Sequence, residues 1–139
     1  MIALALDLGE RRIGVAISDP EGKMARPLTV IEHVARDKDL ARVQSLATQF
    51  AAAVIVIGLP LNMDGTPGPG ARRARRFASA LRRRVETDVQ LWDERLTTFE
   101  ADQQMVEMGL PVARRREMRD AFAAAVILQD YLNARRHAP

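Results

Sequence analysis

The chain contains no cysteine. That absence excludes disulfides, thiolate nucleophiles and cysteine-ligated zinc, and it fits a reducing compartment. No stretch approaches the roughly 18 continuous apolar residues of a membrane span, so no membrane association is expected. The N-terminus enters a strand pattern at once and lacks the charged start of a signal peptide, so a cytoplasmic location is expected. Histidine is scarce. His33 and His137 stand apart from other candidate ligands and read as surface residues. Lysine is scarce too, since 19 of the 21 basic residues are arginine. Trp92 is the only tryptophan and reads as core rather than as a base-stacking platform.

What is present suits a folded protein. The chain has 139 residues and a 47% apolar fraction, which predicts one ordered domain over 1–139 with a core of its own. The net charge is only +3, but its distribution is uneven. Seven arginines fall between Arg72 and Arg84, and a second group runs Arg114, Arg115, Arg116 and Arg119. The guanidinium fork matches phosphate, so nucleic acid is a natural partner. The competing reading is a solvated arginine-rich surface.

Periodicity gives the element order. Residues 2–8, "IALALDL", read as a buried strand, and "GERR" (9–12) as a tight turn. Residues 13–19 form a second strand and 24–33 a third, which Pro27 marks as an edge strand or a late starter. Leu40, Val43, Leu46, Ala47 and Phe50 form a helical stripe within 37–52. "AVIVIG" (53–58) is apolar throughout, as in a strand covered on both faces. The segment 59–70 holds three prolines and three glycines and reads as a loop. A helix with outward arginines follows over 71–85, then a strand over 89–93. Another helix spans 97–108, with Thr97 as N-cap, Glu100 completing a capping box, and Gly109 and Pro111 as its stop. The last helix spans roughly 115–135. The order βββαβαβαα predicts an α/β fold with a five-stranded mixed sheet, helices on both faces and the first strand central.

Alternation places Ala3, Ala5 and Asp7 on one face of the first strand, and Ile2, Leu4, Leu6 and Leu8 on the other. The last helix carries Asp120, Ala123, Ala124, Ile127, Leu128 and Tyr131 on one stripe. Small residues on both partners predict a close approach that brings Asp120 near Asp7. The fifth strand ends in "WDERLTT", and either Asp93 or Glu94 can join them. Active sites of open α/β sheets gather at such strand ends. Converging carboxylates repel, and an oxygen-only ligand set suits Mg²⁺ or Mn²⁺, ions that serve phosphodiester cleavage. Arg11 and Arg12 stand where they can meet phosphate, and the helix bearing Arg72, Arg73 and Arg76 can hold a polymer backbone. Each acid also has a plainer reading: Asp7 as a turn cap, Asp120 as a first-turn acid, Glu94 as a surface partner of arginine. In the loop, Asn62, Asp64 and Thr66 can contact phosphate or sugar beside an amide nest at Gly65, or can simply build a rigid connector.

Four segments, "LDLGERRIGVAISD", "VIVIGLPLNMDG", "WDERLTT" and "RDAFAAAVILQDYL", resemble in order and spacing the YqgF/RuvX family. Its members are assigned as pre-16S rRNA nucleases and are related to RuvC-type Holliday junction resolvases. The resemblance covers nearly the whole chain. It implies an RNase H-like fold and a metal-dependent nuclease that acts on structured nucleic acid, with 5′-end maturation of 16S rRNA as the cellular task and ribosomal precursor particles as partners. It places the catalytic and metal-binding acids on Asp7, Glu94 (with Asp93 less favoured) and Asp120. Arg12, Asn62, Arg95 and Thr97 fall on positions that bind substrate or support the site. Glu10 stands where the family usually carries a small polar or basic residue. RuvC-type resolvases place their second acid on the fourth strand, which here reads "VIVIG" and has none, so the glutamate of "DER" must substitute from the next strand.

Two rival functions are a non-catalytic RNA-binding assembly factor and a resolvase of branched DNA. A third, from the similarity of "DLGERRIG" to the first phosphate loop of sugar-kinase and actin-type ATPases, would need a second such domain and phosphate loop, which this sequence does not contain. The expected assembly is a monomer or a homodimer.

Overall fold

The computed structural model describes residues 1–97, 99–107, 109 and 118–136. Five strands, β1 (Ala3–Leu8), β2 (Arg12–Ser18), β3 (Ala25–Glu32), β4 (Val54–Leu59) and β5 (Asp88–Asp93), form one sheet in the order β3-β2-β1-β4-β5. β2 runs antiparallel to β1 and β3, while β4 is parallel to β1 and to β5. The mixed sheet and the central place of β1 are as the sequence predicts. β3 is an edge strand, where Pro27 is tolerated beside a register shift between Val15 and Ala16.

Helices α1 (Arg36–Gln49) and α2 (Pro69–Arg82) cover one face. They enclose Leu4, Leu6, Val15, Ile55 and Ile57 with Leu40, Val43, Phe77 and Leu81. Each such side chain contributes about 1.5–3 kcal/mol on leaving water. α2 starts on Pro69, whose fixed φ suits the first helical turn. Helices α3 (Phe99–Glu107) and α4 (Arg119–Arg136) lie on the other face. There Ala3, Ala5, Ala16 and Val56 meet Ala124, Ile127, Leu128 and Tyr131. The two faces of β1 are thus divided as its alternation predicts. No helix among the described residues is long and apolar enough to cross a membrane.

Some expected boundaries move. α1 stops at Gln49 rather than at Ala52, and α2 takes Pro69 and Gly70 from the expected loop and stops at Arg82. The start of α3 moves as well. A 3₁₀ turn, Glu94–Leu96, follows β5, and Thr97 ends that turn, donating its backbone N–H to the Glu94 carbonyl at 3.2 Å. Thr97 is therefore not the N-cap of α3, which begins two residues later. Asp93 captures the chain first, by capping the 3₁₀ turn. The Glu100 side chain, Pro111, Arg114, Arg115, Arg116 and His137 lie outside the described residues. Gly109 adopts φ +68° just past α3, a left-handed stop that favours glycine. Trp92 packs edge-on to Tyr131 at 5.4 Å and donates its indole N–H to Asp130 at 2.9 Å, a core role.

Candidate active site

The site is a row laid across three strands. Asp7 is the cross-strand partner of Gly14 on β2. On the other side Leu6 is level with Ile57 of β4, so Gly58 follows level with Asp7. Both flanking positions lack a side chain, and both vacancies are filled. A Cβ on Gly14 would lie 1.9 Å from the backbone oxygen of Asp120. The first turn of α4 therefore rests directly on β2, with Asp120 beside Asp7. A Cβ on Gly58 would lie 2.8 Å from Ile127 Cδ1 and 3.1 Å from Glu94 Cδ, so the Glu94 side chain lies over β4 from the end of β5. The expected small-residue contact exists, but its closest point is over β2 rather than over β1.

The electrostatics follow the same row. Burial, then the nearby charge of Asp120, raises the Asp7 carboxyl above its ordinary value. Burial, then Asp7 and then Asp93, pushes Glu94 up to about 7. Asp7 thus stands between two acids and is coupled to both. Asp93 has a different fate. It accepts the Arg95 backbone N–H at 2.9 Å and its guanidinium at 2.7–3.1 Å, and these bonds hold its carboxyl below the usual range. Asp93 is spent on Arg95, and Glu94 is the member of the pair that faces Asp7.

The carboxylates do not yet form a closed ligand set. Among the described residues no three His, Cys, Asp or Glu side chains meet as one ion's ligands. Arg12 Nε lies 3.2 Å from Asp120 Oδ2, so that acid is already paired with a guanidinium. Arg12 therefore compensates an acid of the row as well as standing near a candidate phosphate path.

A match to the family model for RuvX, Holliday junction resolvase, runs over residues 1–134. The chain belongs to the RuvX family. A relative from Anaeromyxobacter sp. (strain Fw109-5) is 47% identical over 132 residues, covering 95% of this chain and 96% of the relative. One from Chloroflexus aurantiacus (strain ATCC 29366 / DSM 635 / J-10-fl) is 44% identical over 138 residues, covering 99% and 90%. Both are named "Putative pre-16S rRNA nuclease". Among solved structures, T. thermophilus RuvC in complex with a Holliday junction substrate superposes with a TM-score of 0.67 at 16% identity, over 99% of this chain and 96% of that one. The fowlpox virus Holliday junction resolvase gives 0.57 at 11%, over 96% and 99%. At these identities the RuvC likeness establishes the fold alone, and it is the RNase H-like fold expected.

The other predicted residues of this RuvX chain fall in the 62–66 loop with Arg95, on α2 and in the β1–β2 turn. Asn62 and Thr66 bond to each other at 3.0 Å, Asp64 accepts both the Thr66 N–H and its hydroxyl, and Gly65 takes φ +87°. The loop is a self-bonded connector, and Arg95 donates to the Met63 carbonyl at 3.3 Å, tying it to the end of β5. Arg72, Arg73 and Arg76 project from α2, on the sheet face opposite α4. Arg72 bonds the Pro67 carbonyl, and Arg73 reaches Glu10 at 3.8 Å. The first turn of α2 therefore lies beside the 62–67 loop and the β1–β2 turn. Arg82 and Arg84 tie α2 to the Val89 and Asp37 carbonyls. Arg11 is exposed.

Sequence reasoning missed the roles of Gly14 and Gly58 and the partner of His33. Gly14 and Gly58 sit inside strands, and an isolated strand glycine signals close approach of another group. Gly9 serves the turn, donating to the Arg12 carbonyl at 2.8 Å, but Gly14 serves the helix. His33 is not isolated either, because its Nδ1 bonds the buried carboxylate of Asp39. Nothing in their spacing signals that pairing.

Proposed function

We propose that this chain is a nuclease that hydrolyses phosphodiester bonds in structured RNA, with the 5′ extension of the 16S rRNA precursor as its substrate and Mg²⁺ or Mn²⁺ as its cofactor. The observation that carries this reading is the acid row. Asp7, Glu94 and Asp120 lie across one strand end, and two of them are pushed above the ordinary carboxylate range. Like charges gathered this way destabilise a fold unless a cation answers them. Carboxylate oxygens fit a hard divalent ion, and Asp7, Glu94 and Asp120 would hold it. Such an ion supplies Lewis acidity and nucleophile activation for phosphodiester hydrolysis. Asp120 must leave Arg12 to join that set, and the released guanidinium is then available to a phosphate oxygen. Arg95 fixes the 62–66 loop beside the row, and Arg11, Arg72, Arg73 and Arg76 offer further charge along the strand's path. The cytoplasm and ribosomal precursor particles are the setting this substrate implies, with 1–139 acting as one domain.

The test is cleavage of an RNA bearing the 5′ 16S extension. Asp7→Asn should abolish divalent-dependent cleavage and leave the circular dichroism spectrum intact. Unchanged cleavage in both Asp7→Asn and Asp120→Asn would sink the metal-site reading. A second reading, a non-catalytic RNA-binding assembly factor, draws on the Arg12–Asp120 pair, which neutralises one acid without any ion. It predicts tight, salt-sensitive RNA binding and no cleavage with either metal. Cleavage of a four-way DNA junction in preference to RNA would instead favour a resolvase.

A further inference from the structure

Beside the β1–β2 turn, on the face covered by α1 and α2, lies a cavity of about 410 Å³. That volume falls within the roughly 300–1,000 Å³ typical of small-ligand sites. Its apolar wall is Leu8, Ile13 and Phe77, and its polar rim includes His33, Arg36 and Arg73. We propose that this cavity is a subsite for one nucleotide of the RNA strand, with the base or ribose on the apolar wall and the phosphate between Arg36 and Arg73. The assignment rests on the nuclease reading for the identity of the polymer.

Charge and position both favour such an occupant. Two acids also line the cavity. Asp39 is buried, and its charge is answered by His33 Nδ1 and by the Val34 N–H at 3.2 Å. That pairing fixes the imidazole ring at the rim. Glu10 is 84% exposed and stands 3.8 Å from Arg73, an ion pair without a hydrogen bond. Surface pairs of this kind hold weakly, so a phosphate, which accepts paired hydrogen bonds from guanidinium, displaces Glu10. Glu10 is a placeholder for the ligand's charge. His33 lies three residues beyond Val30, which is level with Gly14 and Asp7 two strands away. Strand spacing and rise then put its Cα roughly 14 Å from that of Asp7. One continuous strand can cover both places, with the acid row on one side of the sheet end and the cavity on the other.

The probe is adenosine 5′-monophosphate, titrated against metal-free protein by amide NMR, with inorganic phosphate alongside. We expect shifts at Gly9, His33, Arg36 and Phe77, and weaker binding of inorganic phosphate, which lacks the part that meets the apolar wall. Arg36→Gln and Arg73→Gln should each weaken the nucleotide about tenfold, and Glu10→Gln should tighten it, with thermal unfolding showing that all three variants fold. In RNA cleavage, Arg36→Gln should raise KM more than it lowers kcat. Nucleotide shifts confined to Asp7 and Gly58, or unchanged affinity in both arginine variants, would overturn the subsite. If wild type cleaves RNA while those variants bind the nucleotide normally, the subsite fails and the nuclease reading stands. If wild type cleaves nothing but the nucleotide binds in the expected pattern, the subsite stands and the nuclease reading fails.

Discussion

Replacing Glu94 by glutamine should stabilise the metal-free protein at neutral pH while removing its cleavage activity. The Glu94 carboxyl titrates at about 7 in the folded chain against 4.5 ordinarily. Below its ordinary value the group is protonated in both folded and unfolded chains, and its burial carries no penalty. Between 4.5 and about 7 the folded chain still holds a proton that the unfolded chain has lost. Stability therefore falls as pH rises through that window. Above it the penalty is complete. At about 1.36 kcal/mol per pKa unit the ceiling is about 3.4 kcal/mol. Glu94 is only partly buried, so solvent screening reduces this to on the order of 1–2 kcal/mol.

Glutamine keeps the shape and carries no charge. Its advantage over wild type should be absent at about pH 4, grow with pH, and level off near pH 8. At about 4 °C of Tm per kcal/mol for a chain of this size, the gain is about 4–8 °C at the plateau. Calorimetric unfolding across this pH range with chelator present measures it. Adding Mg²⁺ or Mn²⁺ should then raise the wild-type Tm more than the variant's, because an ion bound only by the folded state stabilises by mass action. A variant no more stable than wild type near pH 8, or one whose advantage grows toward acid, would refute the account of Glu94 as an uncompensated acid.

Three further outcomes test the row. Gly14→Ala puts a methyl 1.9 Å from the Asp120 backbone oxygen; backbone cannot yield as a side chain does, so we expect about 3 kcal/mol of lost stability in denaturant unfolding, and a loss under about 1 kcal/mol would contradict the contact. Gly58→Ala meets the flexible ends of Ile127 and Glu94 instead. It should lose only about 1–2 kcal/mol yet reduce cleavage by more than tenfold, and full activity would show that the place of Glu94 is unimportant. Arg95→Gln removes the clamp on Asp93 and on the Met63 carbonyl; hydrogen exchange at the Gly65 amide, bonded to Asn62 at 2.8 Å, should quicken, and unchanged protection would mean that the loop holds itself.

Much of this was legible because it rests on period and sign. Alternation in "IALALDL" put Asp7 with Ala3 and Ala5, and those alanines do face α4. Pro27 marked an edge, and β3 is one. What escaped depends on distances that a linear pattern does not carry. The stripe on α4 gave its face but not its depth. Gln129, Asp130 and Asn133 are also buried, because the 23–25 segment, Trp92 and α3 supply them in turn with partners: the Ala25 N–H for Gln129, the indole N–H for Asp130 and Gln104 for Asn133. The choice between Asp93 and Glu94 was invisible in "DER" itself. It is made by the 3₁₀ turn, which gives Asp93 the Arg95 N–H to accept. The bond between His33 and Asp39 arises where β3 passes into α1, and it carries no spacing signal.

The three residues of "DER" divide one task. Asp93 ends β5 and caps the turn. Arg95 returns to clasp Asp93 and reaches across to the Met63 carbonyl. Glu94, held between them, is aimed over β4. This arrangement explains how a chain with no acid on its fourth strand can still present one there. Gly58 leaves the space level with Asp7, and the longer glutamate side chain enters it from the neighbouring strand. The glycine in "VIVIG" and the glutamate in "DER" are thus one feature written in two places. An acid restored at position 58 would collide with Ile127 and Glu94 unless Glu94 gave way. Gly58→Asp alone should therefore unfold more readily than wild type, and pairing it with Glu94→Ala should recover part of that loss. Equal stability of the single and double variants in denaturant would show that the two positions do not share one space.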